Sequence, residues 1–465
     1  MKKNLLYRIY SAIFVVICLV PSVLAPFIKS DSSGEKRRLS ELPRATNDDG
    51  TVNFDFFSEF ETYFSEHFAF RQQLVTLDGK LKSAVFGTSS NQDVIVGKDG
   101  WLYYGETVND FLNIKTLSRR GINNIKNNLD MMYKYCQRNN ADFIFTIAPD
   151  KNSVYPEYMP YNYVPDENVK GNYENLSESL EEDFPYCDMK EVILNTKANI
   201  PLYHKKDTHW NNLGAYAGHA RLMEMLGREK CPSGNWTISY NHKGDLSDMI
   251  FPTEKADDIQ VYSDYNYKYQ YLGRFTSFDD MTIKTFCEGK NGNLLMYRDS
   301  YGEAILPFIA ECFGTAEFSR TVPYRMDNIG ENGADTVILE IVERNIPNLQ
   351  KYAPLMPAPV AENLSFNTLE VCRDFTAMSE QSGNFIHIFG ELGEEFFKSD
   401  RAEIFITANG VTYKAFNAFE DRLMGREGET SDNGFSLYIP SDTGVNPDNI
   451  TIISVNEDGS AVSSQ

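Results

Sequence analysis

Gly292-Asn-Leu-Leu-Met-Tyr-Arg-Asp-Ser-Tyr-Gly302 is an apolar run that ends in Asp299-Ser300 and leads into a helix-like apolar stretch, Ala304 to Cys312. A short apolar run feeding a helix is the pattern of a strand buried on both faces of a parallel sheet. Asp142-Phe-Ile-Phe-Thr-Ile-Ala148, which stops at Pro149, and Asp335-Thr-Val-Ile-Leu-Glu-Ile-Val342 share it. Helical stretches follow each, so together they predict an α/β fold with a doubly wound parallel sheet. Ser300 then sits at the carboxyl edge of that sheet, where open α/β folds place their sites. Its N–H, beside a helix N-terminus, is placed to help bind an oxyanion. Read alone, the same serine is a helix N-cap.

A second segment, Lys206-Asp-Thr-His-Trp-Asn-Asn-Leu-Gly-Ala-Tyr216, puts an acid and an imidazole two residues apart ahead of a helical run through Leu222, Met225 and Leu226. Asp207 facing one imidazole nitrogen of His209 fixes the tautomer, leaving the other to take a proton from a hydroxyl. Asp-x-His alone equally caps a helix or binds a metal. Joined to Ser300, it points to a Ser–His–Asp relay.

Around these segments the chain divides into four parts. Residues 1–28 hold Lys2, Lys3 and Arg8 ahead of an uncharged run from Ile9 to Ile28, the pattern of an export signal near membrane-spanning length. Small residues at Ser22-Val-Leu-Ala25 have cleavage-site spacing, but Pro26 disfavours a cut, so an uncleaved signal anchor is expected, with an extracytoplasmic bulk. Residues 29–90 read as a charged linker followed by a helix. Its aromatic stripe, Phe56, Phe57, Phe60, Tyr63, Phe64, His67 and Phe68, continues through Leu74, Leu77 and Leu81. Residues 91–353 carry the α/β pattern, and the Pro-rich Pro354-Leu-Met-Pro-Ala-Pro359 closes it. Residues 360–465 read as short strands between Gly, Asn and Asp turns, an all-β sandwich-like domain.

A net charge of −22 over 465 residues repels phosphate backbones, so nucleic acid is not an expected partner. The seven cysteines form no CxxC pair. Neither they nor His204, His219, His242 and His387 have metal-site spacing, so no metal or cofactor is expected.

Asp207-Thr-His-Trp-Asn-Asn-Leu-Gly-Ala215 resembles the SGNH-hydrolase block in which Asp and His precede the last helix. Arg298-Asp-Ser-Tyr301 resembles that superfamily's Gly-Asp-Ser block, with Arg298 where glycine usually stands. The Asp/His block comes first here, as in a circular permutation. That order, with Asp-x-His, is similar to the DHHW-type proteins and the alginate O-acetylation proteins. Ala334 to Asn345 resembles the strand leading into the Gly-x-Asn-Asp block, with Glu343-Arg344 in place of the oxyanion asparagine. Arg344 therefore either donates to the oxyanion or pairs with Glu343. Ala148-Pro-Asp-Lys-Asn-Ser-Val-Tyr-Pro-Glu157 resembles a strand-end loop and offers Lys151 as a polymer or oxyanion contact. Arg298, Trp210 and Tyr301 complete the candidate substrate contacts.

The resemblance implies a serine-dependent O-acetyltransferase acting on an exported or cell-surface polysaccharide. Ser300 would be the nucleophile, His209 the base and Asp207 its orienter, with the acetyl donor supplied by a membrane-bound O-acyltransferase. Two alternatives stay open: a carbohydrate acetyl-esterase with the same triad, and a non-catalytic polysaccharide-binding scaffold.

Overall fold

The three apolar runs lie side by side at the centre of a seven-stranded sheet. Its order is Tyr186–Cys187, Asp142–Ala148, Thr336–Val342, Asn293–Tyr297, Thr315–Ser319, Thr282–Phe286 and Gln270–Leu272. The first five strands are parallel. The last two pair antiparallel at one edge, so the sheet is mixed there. This computed structural model describes residues 2–465 apart from Pro26, residues 29–38, Asp48, Ala198, Asn363 and Asp448. The start of the expected linker and Pro26 of the cleavage-site reading thus lie outside the described residues.

Side chains of a strand alternate between faces, and here both faces are covered. Phe143, Phe145 and Ile147, with Val337, Leu339 and Ile341, pack with Ile122, Ile125, Leu129 and Met132 of the helix Arg119–Arg138. Ile144, Met296 and Ile338 face the other way and meet Leu222 and Met223 of the helix Asn212–Met225 and Ile305 and Ile309 of Gly302–Ala310. Every residue of Thr336–Val342 is buried. That is why these strands read as unbroken apolar runs.

The aromatic stripe after the linker is not one helix. Phe56–His67 and Arg71–Phe86 are separate helices, broken where Phe70 takes φ +63°, a left-handed conformation uncommon for a bulky residue. The run of three- and four-residue steps crosses the break unchanged, so periodicity alone does not reveal it.

Residues 368–463 form a five-stranded and a three-stranded sheet. Their facing residues, among them Ile404, Ile406 and Ile452 against Ile388, Leu437 and Ile439, share one core. This β-unit is fastened to the helix Arg119–Arg138. Asn128 and Asn417 exchange side chain-to-backbone hydrogen bonds of 2.9 Å in both directions, and Arg120 reaches Asp432 at 2.6 Å and Glu394 at 3.0 Å. Phe416, Ala418 and Tyr438 enter the α/β core itself.

Candidate active site

The strand Asn293–Tyr297 ends one turn before the helix Gly302–Ala310, and Ser300 lies on the loop between. Asp299 shapes that loop. Its carboxylate accepts from the N–H groups of Tyr301 (2.9 Å) and Val342 (2.6 Å) and from Asn345 Nδ2 (3.3 Å), tying two neighbouring strand ends together. Gly302 is required by space: a Cβ there would stand 2.6 Å from Arg298 Cβ. Arg298 is buried beneath the turn and donates to the carbonyls of Phe278 (2.5 Å) and Asp299 (3.1 Å). It braces the serine loop from below and does not face substrate, contrary to its expected contact role.

Ser300 Oγ lies 2.9 Å from His209 Nε2, and His209 Nδ1 lies 2.7 Å from Asp207 Oδ1. A carboxylate only accepts, so Nδ1 carries the proton and Nε2 is free to take one from the serine hydroxyl. Asp207 is held by three further N–H groups: His209 N at 2.9 Å on Oδ1, and His242 Nε2 and Asp245 N, both at 3.0 Å, on Oδ2. Burial alone would raise its pKa, but the hydrogen bonds from His209 and His242 win and hold it well below the usual carboxylate range. For His209, burial pulls downward and Asp207 outweighs it, so its pKa is raised. Close approach of the 242–245 turn depends on Gly244, where a Cβ would lie 2.1 Å from Lys206 O.

Residues 94–303 match the family described as SGNH hydrolase-like domain, acetyltransferase AlgX. That segment has an SGNH-hydrolase-like fold. Similar solved structures include a DHHW family protein from Eubacterium siraeum DSM 15702, at 16% identity, TM-score 0.41, covering 54% of this chain and 94% of that one. PatB1 of Bacillus cereus is similar at 16% identity and TM-score 0.44, with 55% and 97% covered. AlgX of Pseudomonas aeruginosa is similar at 12% identity and TM-score 0.36, with 79% and 90% covered. No curated protein matches the sequence.

Within the α/β domain several expected substrate contacts have other work. Lys151 is buried, and its ammonium donates to the carbonyls of His204 (3.2 Å), Lys205 (3.1 Å) and Asp207. It pins the loop that carries the triad acid, which is a structural role and not a polymer contact. Burial lowers its pKa to about 8. Trp210 and Tyr301 are buried too. Trp210 Nε1 donates to Tyr301 O (3.0 Å) and Tyr301 Oη donates to Thr208 O (2.9 Å), stitching the serine loop to the histidine loop.

Arg344 does line the cleft, with Ser300, His209, Asp245, Glu303 and Arg320, in a space of about 710 Å³. Its ion-pair partner is Asp150 at 2.7 Å and not Glu343, which instead accepts from Asp150 N at 2.8 Å. Burial raises the Asp150 pKa to about 7, opposed by Arg344 and reinforced by Glu343.

Sequence reasoning missed His242 and Asp245, whose spacing His-x-x-Asp was visible but had no stated partner. It also missed Arg320. Ligand atoms of Asp207, His209 and Asp245 lie within 4.8 Å of one another. Four N–H groups already converge on the Asp207 carboxylate, however, and Asp245 Oδ1 accepts from Thr208 N at 2.8 Å, so the donor set suits an oriented imidazole better than a cation.

Proposed function

We propose that this chain is a serine-dependent O-acetyltransferase acting on an exported or cell-surface polysaccharide through an acetyl-Ser300 intermediate. The carrying observation is the unbroken relay from Ser300 Oγ through His209 to Asp207, opening on a cleft. The matched family's description as an acetyltransferase supports the same class of chemistry.

In the first step His209 Nε2 takes the Ser300 proton as Oγ bonds to the acetyl carbonyl carbon. Collapse of the tetrahedral adduct breaks the bond to the donor, whose leaving oxygen receives that proton from His209. A sugar hydroxyl then gives its proton to Nε2, attacks the acetyl-serine and leaves as the ester, and the proton returns to Ser300. The Ser300 N–H and the Arg344 guanidinium are the groups we assign to the carbonyl oxygen as it becomes negative.

The helix Lys2–Leu24 includes a 20-residue span, Leu5–Leu24, of mean hydropathy 1.9, with none of its described residues buried. We assign it as a single-pass anchor with the basic N-terminus inside. The acetyl donor would then come from a membrane-bound O-acyltransferase.

The test uses purified protein, an acetyl donor and a polymer-derived oligosaccharide. Acetyl mass should appear on the sugar, because an acceptor held in line outcompetes water through effective molarities of roughly 10⁵ M. Release of acetate alone, with loss of acetyl from pre-acetylated oligosaccharide, would make the protein an esterase. Unchanged polymer acetylation in a Ser300→Ala strain would leave the scaffold reading.

A further inference from the structure

The helices Phe56–His67 and Arg71–Phe86 display apolar side chains that nothing among the described residues covers. Phe57, Phe60 and Phe64 share one face of the first, and Leu77, Leu81 and Val85 one face of the second. Phe57 is 82% exposed, Leu77 62% and Leu81 57%. The opposite face of the second helix is firmly seated. Thr76 Oγ1 accepts from Thr253 N at 3.1 Å, and a Cβ on Gly79 would stand 2.4 Å from Ile250 O. The second helix is therefore held in place while it presents an apolar face outward, and the first adds its own exposed aromatic row beside it, which single scattered side chains do not do.

Where the two helices meet, the chain touches the end of the apolar N-terminal helix: Ala69, fully buried, donates its N–H to Pro21 O at 3.4 Å. The uncovered face thus begins where the apolar span ends. Charge agrees with this placement. The protein carries −22 overall, yet residues 56–86 hold four acids against three bases, a near-neutral patch that does not repel a lipid surface.

We infer that this face lies in the membrane interface at the level where the span emerges, with Phe and Leu side chains among lipid headgroups and upper acyl chains, as interfacial amphipathic helices do. The inference rests on the anchor reading of the N-terminal helix. It has a consequence for the site. Arg71 and Val75 of the second helix line the same cleft as Ser300 and His209. Docking the face sets that cleft at the membrane surface, within reach of a donor delivered from the bilayer.

The test uses the full chain with Cys18→Ala and one added cysteine, Phe57→Cys, Leu81→Cys, Ile13→Cys or Glu427→Cys, carrying an environment-sensitive fluorophore. Cys136, Cys187, Cys231, Cys287, Cys312 and Cys372 are buried and do not compete. In phosphatidylcholine vesicles, a nitroxide high on the lipid acyl chain should quench the labels at 57 and 81 at least roughly twofold, with aqueous iodide ineffective. The label at 427 should show the reverse. Iodide quenching without nitroxide quenching at 57 and 81, while the label at 13 reports lipid, overturns the docking and spares the anchor. Lipid silence at 13 as well removes both. None of these signals depends on acetyl transfer, so they are independent of the proposed activity.

Discussion

His242 Nε2 and Asp207 Oδ2 meet at 3.0 Å, so the carboxylate that orients His209 through one oxygen is gripped by a second histidine through the other. His242 is itself fixed, stacked at 3.7 Å on His204, whose Nδ1 donates to Ile259 O at 2.7 Å. Burial and the neighbouring His242 lower the His204 pKa to about 4, so His204 stays neutral and the stack does not bring two positive charges together.

His242 is a positioning residue, and its removal should be felt through His209. His242→Ala is expected to lower kcat by about tenfold at unchanged KM. With one donor gone, Asp207 holds the His209 proton more tightly and the acid inflection of the rate moves to higher pH. His242→Gln, which keeps a donor, should restore most of both. A variant that loses stability but keeps rate and inflection would reduce His242 to packing.

The raised pKa of His209 fixes the sign of the pH dependence. A base must be unprotonated, so turnover of a soluble aryl acetate should rise with pH through an inflection above the ordinary imidazole value of about 6.5. Asp207→Asn should move the inflection downward and cost up to about 10⁴ in rate, because the tautomer is no longer held. Stability follows from the same pair. The His209 contribution is complete at low pH and is lost as pH rises through its folded pKa. That of Asp207, whose folded pKa is depressed, is lost as pH falls through its own. The stability gap between wild type and Asp207→Asn should therefore be widest between those limits, read as denaturant midpoints across pH.

The parts of this molecule that the sequence makes legible are those where a chemical signal is contiguous. Asp299-Ser300 follows its strand directly, and Asp207 and His209 share one loop, so residue type and local pattern suffice. His242 and Asp245 reach Asp207 from 35 and 38 residues away, and no local rhythm encodes that meeting. Lys151 and Trp210 mislead for a different reason. An irregular loop leaves carbonyls that need donors, and a lysine or indole beside a catalytic segment serves that need as readily as it serves a substrate. The break at Phe70 is hidden because an ordinary aromatic occupies the left-handed position where glycine would have marked a stop.

Lys151→Met keeps the stem and removes the ammonium. Three loop carbonyls lose their donor inside the protein, so the cost should be about 3 kcal/mol in equilibrium unfolding. At temperatures where the variant stays folded, kcat should still fall, since the loop that carries Asp207 is no longer pinned. Normal stability with a raised KM for oligosaccharide would return Lys151 to the substrate-contact role.

Arg344 is the group whose role the geometry leaves sharpest to test. Its guanidinium sits between the rings of Tyr104 and Tyr301, 5.6 Å from each centroid, with Nη1 on Asp150 Oδ1 at 2.7 Å and its backbone N–H on Asp150 Oδ2 at 3.1 Å. That leaves a planar, oriented cation lining the cleft beside Ser300. If its remaining N–H groups serve the oxyanion, Arg344→Gln should lower kcat by about 10²–10³ with little change in KM, the cost of losing one such donor. Arg344→Lys should fail to rescue, because one ammonium does not supply the planar fork that holds Asp150 and donates into the cleft together. A purely structural pair behaves differently. The double variant Asp150→Asn with Arg344→Gln removes both charges at once and should then recover stability and rate together. Recovery of stability without recovery of rate is the expected outcome, measured as single-turnover acetylation of Ser300 from an activated ester.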